Sequence, residues 1–600
     1  MAAKKADKAA VRAQPGEPEQ VIADAAAHRR VLRTINEAVR AEDLLPPEPV
    51  VPHAELAGFQ PATPAGEDHG EAAEGPAPAA ARERAQQLAL AAEILRARDE
   101  LSPLGLRHLR ELEVAKLLGH RLLPGLLLHL THLFRGSWAD FPVDIPRRGP
   151  GSYSGVIHAA LCHTGKVLFI TADETTVLWD PANPAPSTFE DPTNQPHLMP
   201  GGYSQLCGHH VFLASGKLLS VGGGGYGFNS LARAGYVFDP PSKTWARTAN
   251  DMGEAKWYPT AVALGDERVL VTCGNRSGHM ELYSEATNTF TAVGGDDRGF
   301  PNLYPGLHLL PSHNVFFSRT GWGSAGAGGS PFNDQTSAYF SFTGPTSGAW
   351  TDIQTAAANR TKGMSVLLLS STPPYVRVMV IGGVGGDQGT YELIDVTSLS
   401  GASTWGAAIP FPDGINRSLG SAVLLPNGTV LVAGGTTTTN SPCSLYNPAT
   451  GVWTAMADLP SARNYHSVAL LLPSGQVMMA GWNNTKIEIF SPPYVFGARP
   501  TISAAPSLVH HGQSFTISSP EAETITKVVL VRPMAVTHQT DSEQKVIEMA
   551  NRHDHANPSQ IIVTAPNGLH PHSQAQKGWY LLFAVNAANA PSEGRWIYLH

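Results

Sequence analysis

From about residue 150 to residue 495 the chain repeats one arrangement of apolar and polar positions. An apolar strand is followed by a glycine-containing turn, a second apolar strand that often ends in glycine, a polar loop, and an aromatic-rich strand. The second strands are KVLFITAD (166–173), KLLSVGGG (217–224), RVLVTCGN (268–275), NVFFSRTG (314–321), RVMVIGGV (377–384), TVLVAGGT (429–436) and QVMMAGWN (476–483). Short apolar runs bounded by glycine and polar turns predict β-strands and not helices. Outer strands follow in the same order, as in YVFDPPSKTW, MELYSEATNTF, CSLYNPATGVW and IEIFSPPY.

Self-similarity at a spacing of 46–63 residues is the signature of propeller blades. An array of unrelated hairpins would not keep one order through seven copies. The pattern therefore predicts an all-β protein whose centre, 141–497, is a seven-bladed kelch-type β-propeller. After Arg499-Pro500 the strands SFTIS, KVVLVRP, WYLLFAVN and RWIYLH alternate over about 100 residues and predict an immunoglobulin-like β-sandwich over 498–600. Ahead of the blades, VLRTINEAVR and ARERAQQLALAAEILRARDELS have helical spacing and flank a Pro/Gly/Ala run at 46–79 that cannot hold a core. Residues 1–140 thus read as a helical, partly disordered extension.

Composition agrees with this division. A chain of 600 residues exceeds what one core usually holds, and only 15% of it is charged, while Gly (59) and Pro (48) are abundant. Residues 1–150 carry 19 of the 42 Lys+Arg and 21 of the 50 Asp+Glu, so the chain changes character near 140. A net charge of −8 supplies no basic field for nucleic acid or anionic lipid, and neither is an expected partner. The most apolar stretch, LLPGLLLHLTHLF at 122–134, is shorter than the ~20 residues a membrane span needs and contains a proline, so no transmembrane span is expected. The opening MAAKKADKAAVRAQPGEPEQ shows no apolar segment behind its positive residues, which leaves no secretory signal to read and the compartment open. Four cysteines without a CxxC pair give neither a disulfide framework nor a zinc knuckle.

A propeller has no function of its own, so function must come from a site. The blades align on the first apolar residue of each second strand, and eleven residues earlier lies the start of each innermost strand. That step gives Val156, Cys207, Tyr258, Tyr304, Leu367, Leu419 and His466, with a longer hairpin in the fifth blade leaving its register open. Tyr465 precedes His466. A cysteine, tyrosines and a histidine should therefore converge at the mouth of the central channel, with Cys207 and Tyr258 in adjacent blades at one height. Cys162, Cys273 and Cys443 lack such company and read as packing residues. The cluster RHDHANP (552–558) reads as a surface turn.

Five segments carry a resemblance to a known family. They are LCGHHVFLASGKLLSVGG around Cys207, AKWYPTAVAL around Tyr258, ARNYHSVALLLPSGQVMMAG around Tyr465 and His466, AVTHQTDSEQK around His538, and the closing GWYLLFAVNAANAPSEGRWIYL. Over about 450 residues the chain resembles the copper radical oxidases, nearer the glyoxal oxidase branch than galactose oxidase. The resemblance implies one copper ion held by Tyr258, Tyr465, His466 and His538, and a Cys207–Tyr258 thioether that carries a tyrosyl radical. Imidazole nitrogens with phenolate oxygens suit Cu(II), whereas thiolates would suggest Zn and an all-oxygen set Mg or Ca.

The implied reaction takes an aldehyde or primary alcohol and O2 to the oxidised product and hydrogen peroxide, with Tyr465 as base and the Tyr258 radical abstracting hydrogen from carbon. His538 lies beyond the propeller, at the tip of a hairpin between KVVLVRP and KVIEM long enough to enter the channel. His209, His210, Trp257, Trp322 and Trp482 are candidates to stack on the radical, and Tyr304 to hydrogen-bond substrate. Galactose oxidase stacks a tryptophan about eighteen residues after its cross-linked tyrosine, where this chain has Arg276, a departure that disfavours sugars. The competing reading is a non-catalytic kelch-type interaction or structural scaffold. A decayed enzyme usually loses at least one of Cys207, Tyr258, Tyr465, His466 and His538, and all five are present.

Overall fold

A computed structural model of the chain describes residues 132–600 except 147–154, 225–231, 273, 275–278, 296–301, 324–335, 357, 359, 385–387, 482–483 and 568–574. Two units are distinguished, Met1–Phe134 and Arg135–His600. The extension expected over 1–140 lies, up to residue 131, outside the described residues, as do Cys273, Arg276 and Trp482.

The seven repeats form seven antiparallel sheets, and each expected second strand is the second strand of a blade. The innermost strands of blades I to VII are Val156–Leu161, Gly208–Phe212, Thr260–Ala263, Leu307–Leu309, Met364–Leu369, Gly420–Leu424 and Ser467–Leu471. They are buried almost throughout, since each blade packs its faces on two neighbours, which is why they read as unbroken apolar runs. Blade VII takes its outermost strand from Ser137–Asp140, paired with Glu488–Ser491, so the ring closes by joining the start of the blade region to its end. That strand lies just ahead of the expected boundary at 141.

One joint recurs between blades. Paired glycines end the second strand, and the N–H of the second donates to the carbonyl of a buried cation in the next blade. Gly223 donates to Lys256 at 2.9 Å, Gly383 to Arg417 at 2.9 Å, and Gly435 to Arg463 at 2.8 Å. The cation's side chain then folds onto its own blade. Arg417 donates to the Gly434 carbonyl at 2.9 Å and pairs with Asp413 at 2.9 Å. Arg463 donates to the Gly481 carbonyl and pairs with Glu488 at 2.7 Å. Arg360 donates to the Gly382 carbonyl at 3.0 Å and pairs with Glu392 at 3.2 Å.

Two or three residues beyond the cation the chain passes through a left-handed residue and enters the innermost strand. These residues are Tyr258 (φ 60°), Lys362 (φ 61°), Leu419 (φ 57°) and His466 (φ 65°), joined by Cys207 (φ 66°) and Tyr304 (φ 48°). The alignment on second strands therefore holds in blades II, III, IV, VI and VII and slips in blade V. Leu367 lies inside Met364–Leu369, and Lys362 occupies the equivalent place, because the longer hairpin of that blade adds residues between its first two strands.

Beyond the propeller, Ile525–Val531, Gly578–Asn586 and Arg595–Leu599 form one sheet of a β-sandwich, and Ser514–Ser518 pairs with Gln560–Thr564 in the other. Val546–His553 crosses between them, pairing with Ile525–Val531 through 546–549 and with Gln560–Thr564 through 550–553. Its end, with the exposed His553, leads into a turn in which Asp554 accepts from the Ala556 N–H at 3.0 Å. Residues 532–545, between Ile525–Val531 and Val546–His553, are all buried although ten of them are polar or charged, Arg532 and 537–545.

That hairpin enters the channel and satisfies the open edges of the innermost strands. Ala535–Thr537 pairs with Val156–Leu161 as an extra strand of blade I. Ser542 donates to the Ala261 carbonyl at 2.7 Å, Arg532 to that of Phe212 at 3.3 Å, and the Gln544 amide both donates to Ala422 and accepts from the Leu424 N–H at 3.0 Å.

The joint makes a testable distinction between glycines. A Cβ on Gly382 (φ 65°) would stand 2.2 Å from the Arg417 carbonyl, whereas one on Gly451 (φ 72°) would meet nothing within 4 Å. Both alanine variants carry the left-handed penalty of roughly 1–2 kcal/mol. Gly382→Ala should lose a further ~1–3 kcal/mol from the forced clash, read as the difference between the two in urea unfolding. Equal losses would show that the joint tolerates the added methyl.

Candidate metal centre

Four side chains from three separate parts of the chain meet at the channel mouth. Tyr258 enters on the turn before Thr260–Ala263, Tyr465 and His466 on the turn before Ser467–Leu471, and His538 on the hairpin just past Ala535–Thr537. The hydroxyls of Tyr258 and Tyr465 are 2.5 Å apart. Ring centroids of His466 and His538 are 4.7 Å apart, those of Tyr258 and His538 5.0 Å, and those of Tyr465 and His538 5.3 Å. Tyr465 is half-buried and the other three are buried.

Burial sets the protonation of these groups. Desolvation lowers His466 to about 4 and, with the neighbouring His466, His158 and His209, holds His538 well below 6.5. Both imidazoles are thus neutral and carry a lone pair. The His538 tautomer follows from its partner. The Thr537 hydroxyl lies 2.8 Å from Nδ1 of His538 and 3.2 Å from the Ile157 carbonyl, and with its single hydrogen given to that carbonyl Nδ1 is the donor and Nε2 holds the lone pair. Burial, followed by the charges of Cys207, Tyr304 and Tyr465, raises the Tyr258 phenol far above its ordinary value, so without a cation it keeps its proton.

Cys207 lies in one buried cluster with Tyr258 and Tyr304. Burial pushes its thiol up to about 12, against the pull of hydrogen bonding to Tyr258 and Trp257. It is therefore a protonated thiol held beside the Tyr258 phenol and not a nucleophilic thiolate.

Trp257 and Tyr304 are the rings that stack on Tyr258. Trp257 is 4.1 Å away at 12°, and Tyr304 is 4.3 Å away at 21°. Two rings stacked this closely on a third must take opposite faces, so Tyr258 is sandwiched. The Tyr304 hydroxyl donates to the Gly208 carbonyl at 2.9 Å and the residue is 0% exposed, which places its polar end in the protein interior and away from an incoming molecule.

His209 accepts from the Ala261 N–H at 3.3 Å, and His210 packs 5.3 Å from His158, so neither stacks on Tyr258. Trp322 begins the strand Trp322–Gly323, paired with Asn302–Leu303. Sequence alignment missed Lys362 at the mouth and His158 beside the ring. Aligning on the buried cations, as in Lys256 to Tyr258, Arg360 to Lys362 and Arg417 to Leu419, locates the first.

A donor set of two neutral imidazoles and two phenols fits a tetragonal Cu(II) site and lacks the thiolate or all-oxygen character of the alternatives. Among the described residues no group of three or more His, Cys, Asp and Glu is placed to hold a metal ion, so any site here depends on the phenols.

Comparison with known proteins agrees with the fold. Residues 499–599 match the model of the galactose oxidase-like early set domain. The chain is 25% identical over 443 residues to aldehyde oxidase GLOX of Vitis pseudoreticulata, covering 66% of this chain and 81% of that one. It is 24% identical over 424 residues to galactose oxidase of Gibberella zeae, covering 63% of this chain and 58% of that one. A copper-bound fungal alcohol oxidase superposes with a TM-score of 0.62 over 78% of this chain and 99% of its own, at 20% identity, which shows a shared fold. The chain is similar to proteins named aldehyde oxidase and galactose oxidase, and this homology supports an oxidase. Among the described residues no helix is long and apolar enough to cross a membrane.

The Tyr304 hydroxyl has one measurable consequence. Tyr304→Phe keeps the stacked ring and removes the donor to Gly208, and should cost about 0.5–1.5 kcal/mol in urea unfolding of the metal-free protein. Unchanged stability would show that this hydrogen bond contributes nothing.

Proposed function

We propose that this chain is a copper radical oxidase. It would convert an aldehyde or a primary alcohol and O2 into the oxidised product and hydrogen peroxide, using one copper ion held by Tyr258, Tyr465, His466 and His538. The observation that carries this reading is the meeting of two phenols and two neutral imidazoles, with the Tyr258 and Tyr465 hydroxyls 2.5 Å apart. Its relatives named aldehyde oxidase and galactose oxidase support it.

Bound copper would supply one oxidising equivalent and a Lewis-acid position for the substrate oxygen. The rest falls to the chain. His466 and His538 are ligands that stay neutral, the second oriented by Thr537. Tyr465, the half-buried phenol, accepts the substrate hydroxyl proton as its phenolate. Tyr258 holds the second oxidising equivalent, joined through the ring carbon beside its hydroxyl to Sγ of Cys207. It takes one hydrogen atom from the substrate carbon. The two electrons and two protons removed from substrate pass to O2, giving one hydrogen peroxide per turnover.

Trp257 and Tyr304 exclude water from both faces of the Tyr258 ring and lend it polarisable surface. They occupy the role that the sequence position of Arg276 leaves unfilled.

Two measurements test this reading. Copper and air should remove two hydrogens from the intact mass as Sγ and the ring carbon join, and Cys207→Ala should show no such loss. An unchanged mass in the native sequence would exclude the thioether. In the second, Tyr465→Phe should retain one copper per chain and lose roughly 10²–10⁴-fold in kcat, the usual contribution of a proton-transfer group. His466→Ala and His538→Ala should instead weaken Cu(II) binding itself in a titration. Equal loss of copper in all three would overturn the separation of roles.

A further inference from the structure

The peptide around Cys207 is held from three blades. Its N–H donates to Nε2 of His158 in blade I at 3.2 Å. Its carbonyl accepts from the Tyr258 N–H in blade III at 3.0 Å. The neighbouring Gly208 carbonyl accepts from the Tyr304 hydroxyl of blade IV at 2.9 Å. Together these grips hold Cys207 at φ 66°, a conformation that costs a residue with a Cβ and persists only when its surroundings impose it.

The grip from His158 is made at a cost. Nε2 accepts, so the proton of the neutral ring is on Nδ1, and Nδ1 is buried with no hydrogen-bond partner among the described residues. An apolar residue would avoid that orphaned donor, and a buried unsatisfied group asks for a reason. Burial, then the nearby His210, His209 and His466, keeps the ring neutral and its Nε2 lone pair available. His158 also faces the hairpin. It pairs across the strands with Thr537, the residue before His538, and its ring lies 6.2 Å from that of His538 at 85°.

We propose that His158 is a positioning residue that couples docking of the 532–545 hairpin to the presentation of Cys207. Docking fixes the strand Val156–Leu161, the strand fixes the imidazole, and the imidazole holds the Cys207 backbone so that Sγ faces the Tyr258 ring. The consequence for cross-linking rests on the copper reading above, whereas the hold on the Cys207 backbone does not. In the cross-linking step the S–H and one ring C–H are lost, a C–S bond forms, and two electrons and two protons pass to O2. His158 transfers none of them and acts through geometry alone.

The test uses three variants of the full chain. His158→Gln offers an amide oxygen near the place of Nε2, His158→Asn is too short to reach the Cys207 N–H, and His158→Phe keeps the ring without the acceptor. On addition of Cu(II) and air, loss of two hydrogens from the intact mass should slow about tenfold in the Asn and Phe variants and stay within about threefold of the native rate in Gln. In the metal-free proteins, hydrogen exchange of the Cys207 amide should speed up about tenfold in Asn and Phe and hold in Gln. Native rates in Asn and Phe, or a Gln variant as impaired as Asn, would overturn the proposal. Should Phe lack a cooperative unfolding transition, the Asn and Gln pair decides. If the native chain itself never loses two hydrogens, the copper reading falls, and amide exchange still decides the role of His158.

Discussion

The structure depends on the joint between blades, where a carbonyl belonging to a buried cation is caught by paired glycines and the cation turns back onto its own blade. The backbone bond sets the spacing of neighbouring sheets, and the side chain sets the angle at which the chain leaves the joint. Arg463 shows both, its carbonyl taken by the Gly435 N–H at 2.8 Å and its guanidinium paired with Glu488 at 2.7 Å. Such a pair is poor evidence of net stability, since desolvation offsets much of its attraction, and breaking one partner typically costs ~3–5 kcal/mol. What it supplies here is register. Immediately beyond it the chain has room to enter the innermost strand only through a left-handed residue, and Tyr258 and His466 stand in that conformation.

A second constraint closes the channel. Innermost strands present unpaired N–H and C=O groups along the axis, and in a buried channel those groups need partners. The hairpin at 532–545 is polar for this reason, its Ser542, Gln544 and Arg532 each bound to a different blade. His538 is thereby located by the same bonds that satisfy the strand edges. On the proposed reading, one ligand position is thus a by-product of filling the axle, and the other three come from joints at the rim.

How much of this was legible in the sequence follows from what each feature depends on. Blade strands are buried on both faces and joined by glycine turns, so Val167–Thr171 or Val477–Gly481 could be read from apolar runs alone. Tyr258 and His466 could be placed at one height because the distance from joint to second strand is nearly constant. Blade V broke that rule, and Lys362 was missed in favour of Leu367, because alignment on the second strand inherits every change in hairpin length while alignment on the cation does not. The ring stacking on Tyr258 was legible only in part, since Trp257 was one of several stacking candidates and Tyr304 was placed at the mouth as a substrate donor and not as a stacking ring. Trp257 stacks because the left-handed turn folds it back on its neighbour, and Tyr304 because the next blade brings its own mouth residue alongside. The hydroxyl of Tyr304 turned inward to Gly208 for a reason that lies in blade II, which no spacing within its own blade reveals.

The mouth residues also separate fold from chemistry. Cys207, Tyr258, Tyr304, Lys362, Leu419 and His466 share one backbone conformation, so the fold requires the turn and leaves the side chain nearly unrestricted. On the proposed reading, function then comes from identity at few positions, together with the burial of Cys207, Tyr258 and His466. Burial keeps the imidazoles neutral and the Tyr258 phenol protonated, so none of these three groups carries a charge that would draw in a weakly binding cation. An ion must repay the loss of a phenol proton before it binds. Among first-row divalent ions Cu(II) bonds most strongly to such nitrogen and oxygen donors, so on the proposed reading the cost of that proton and the ligand set favour copper together.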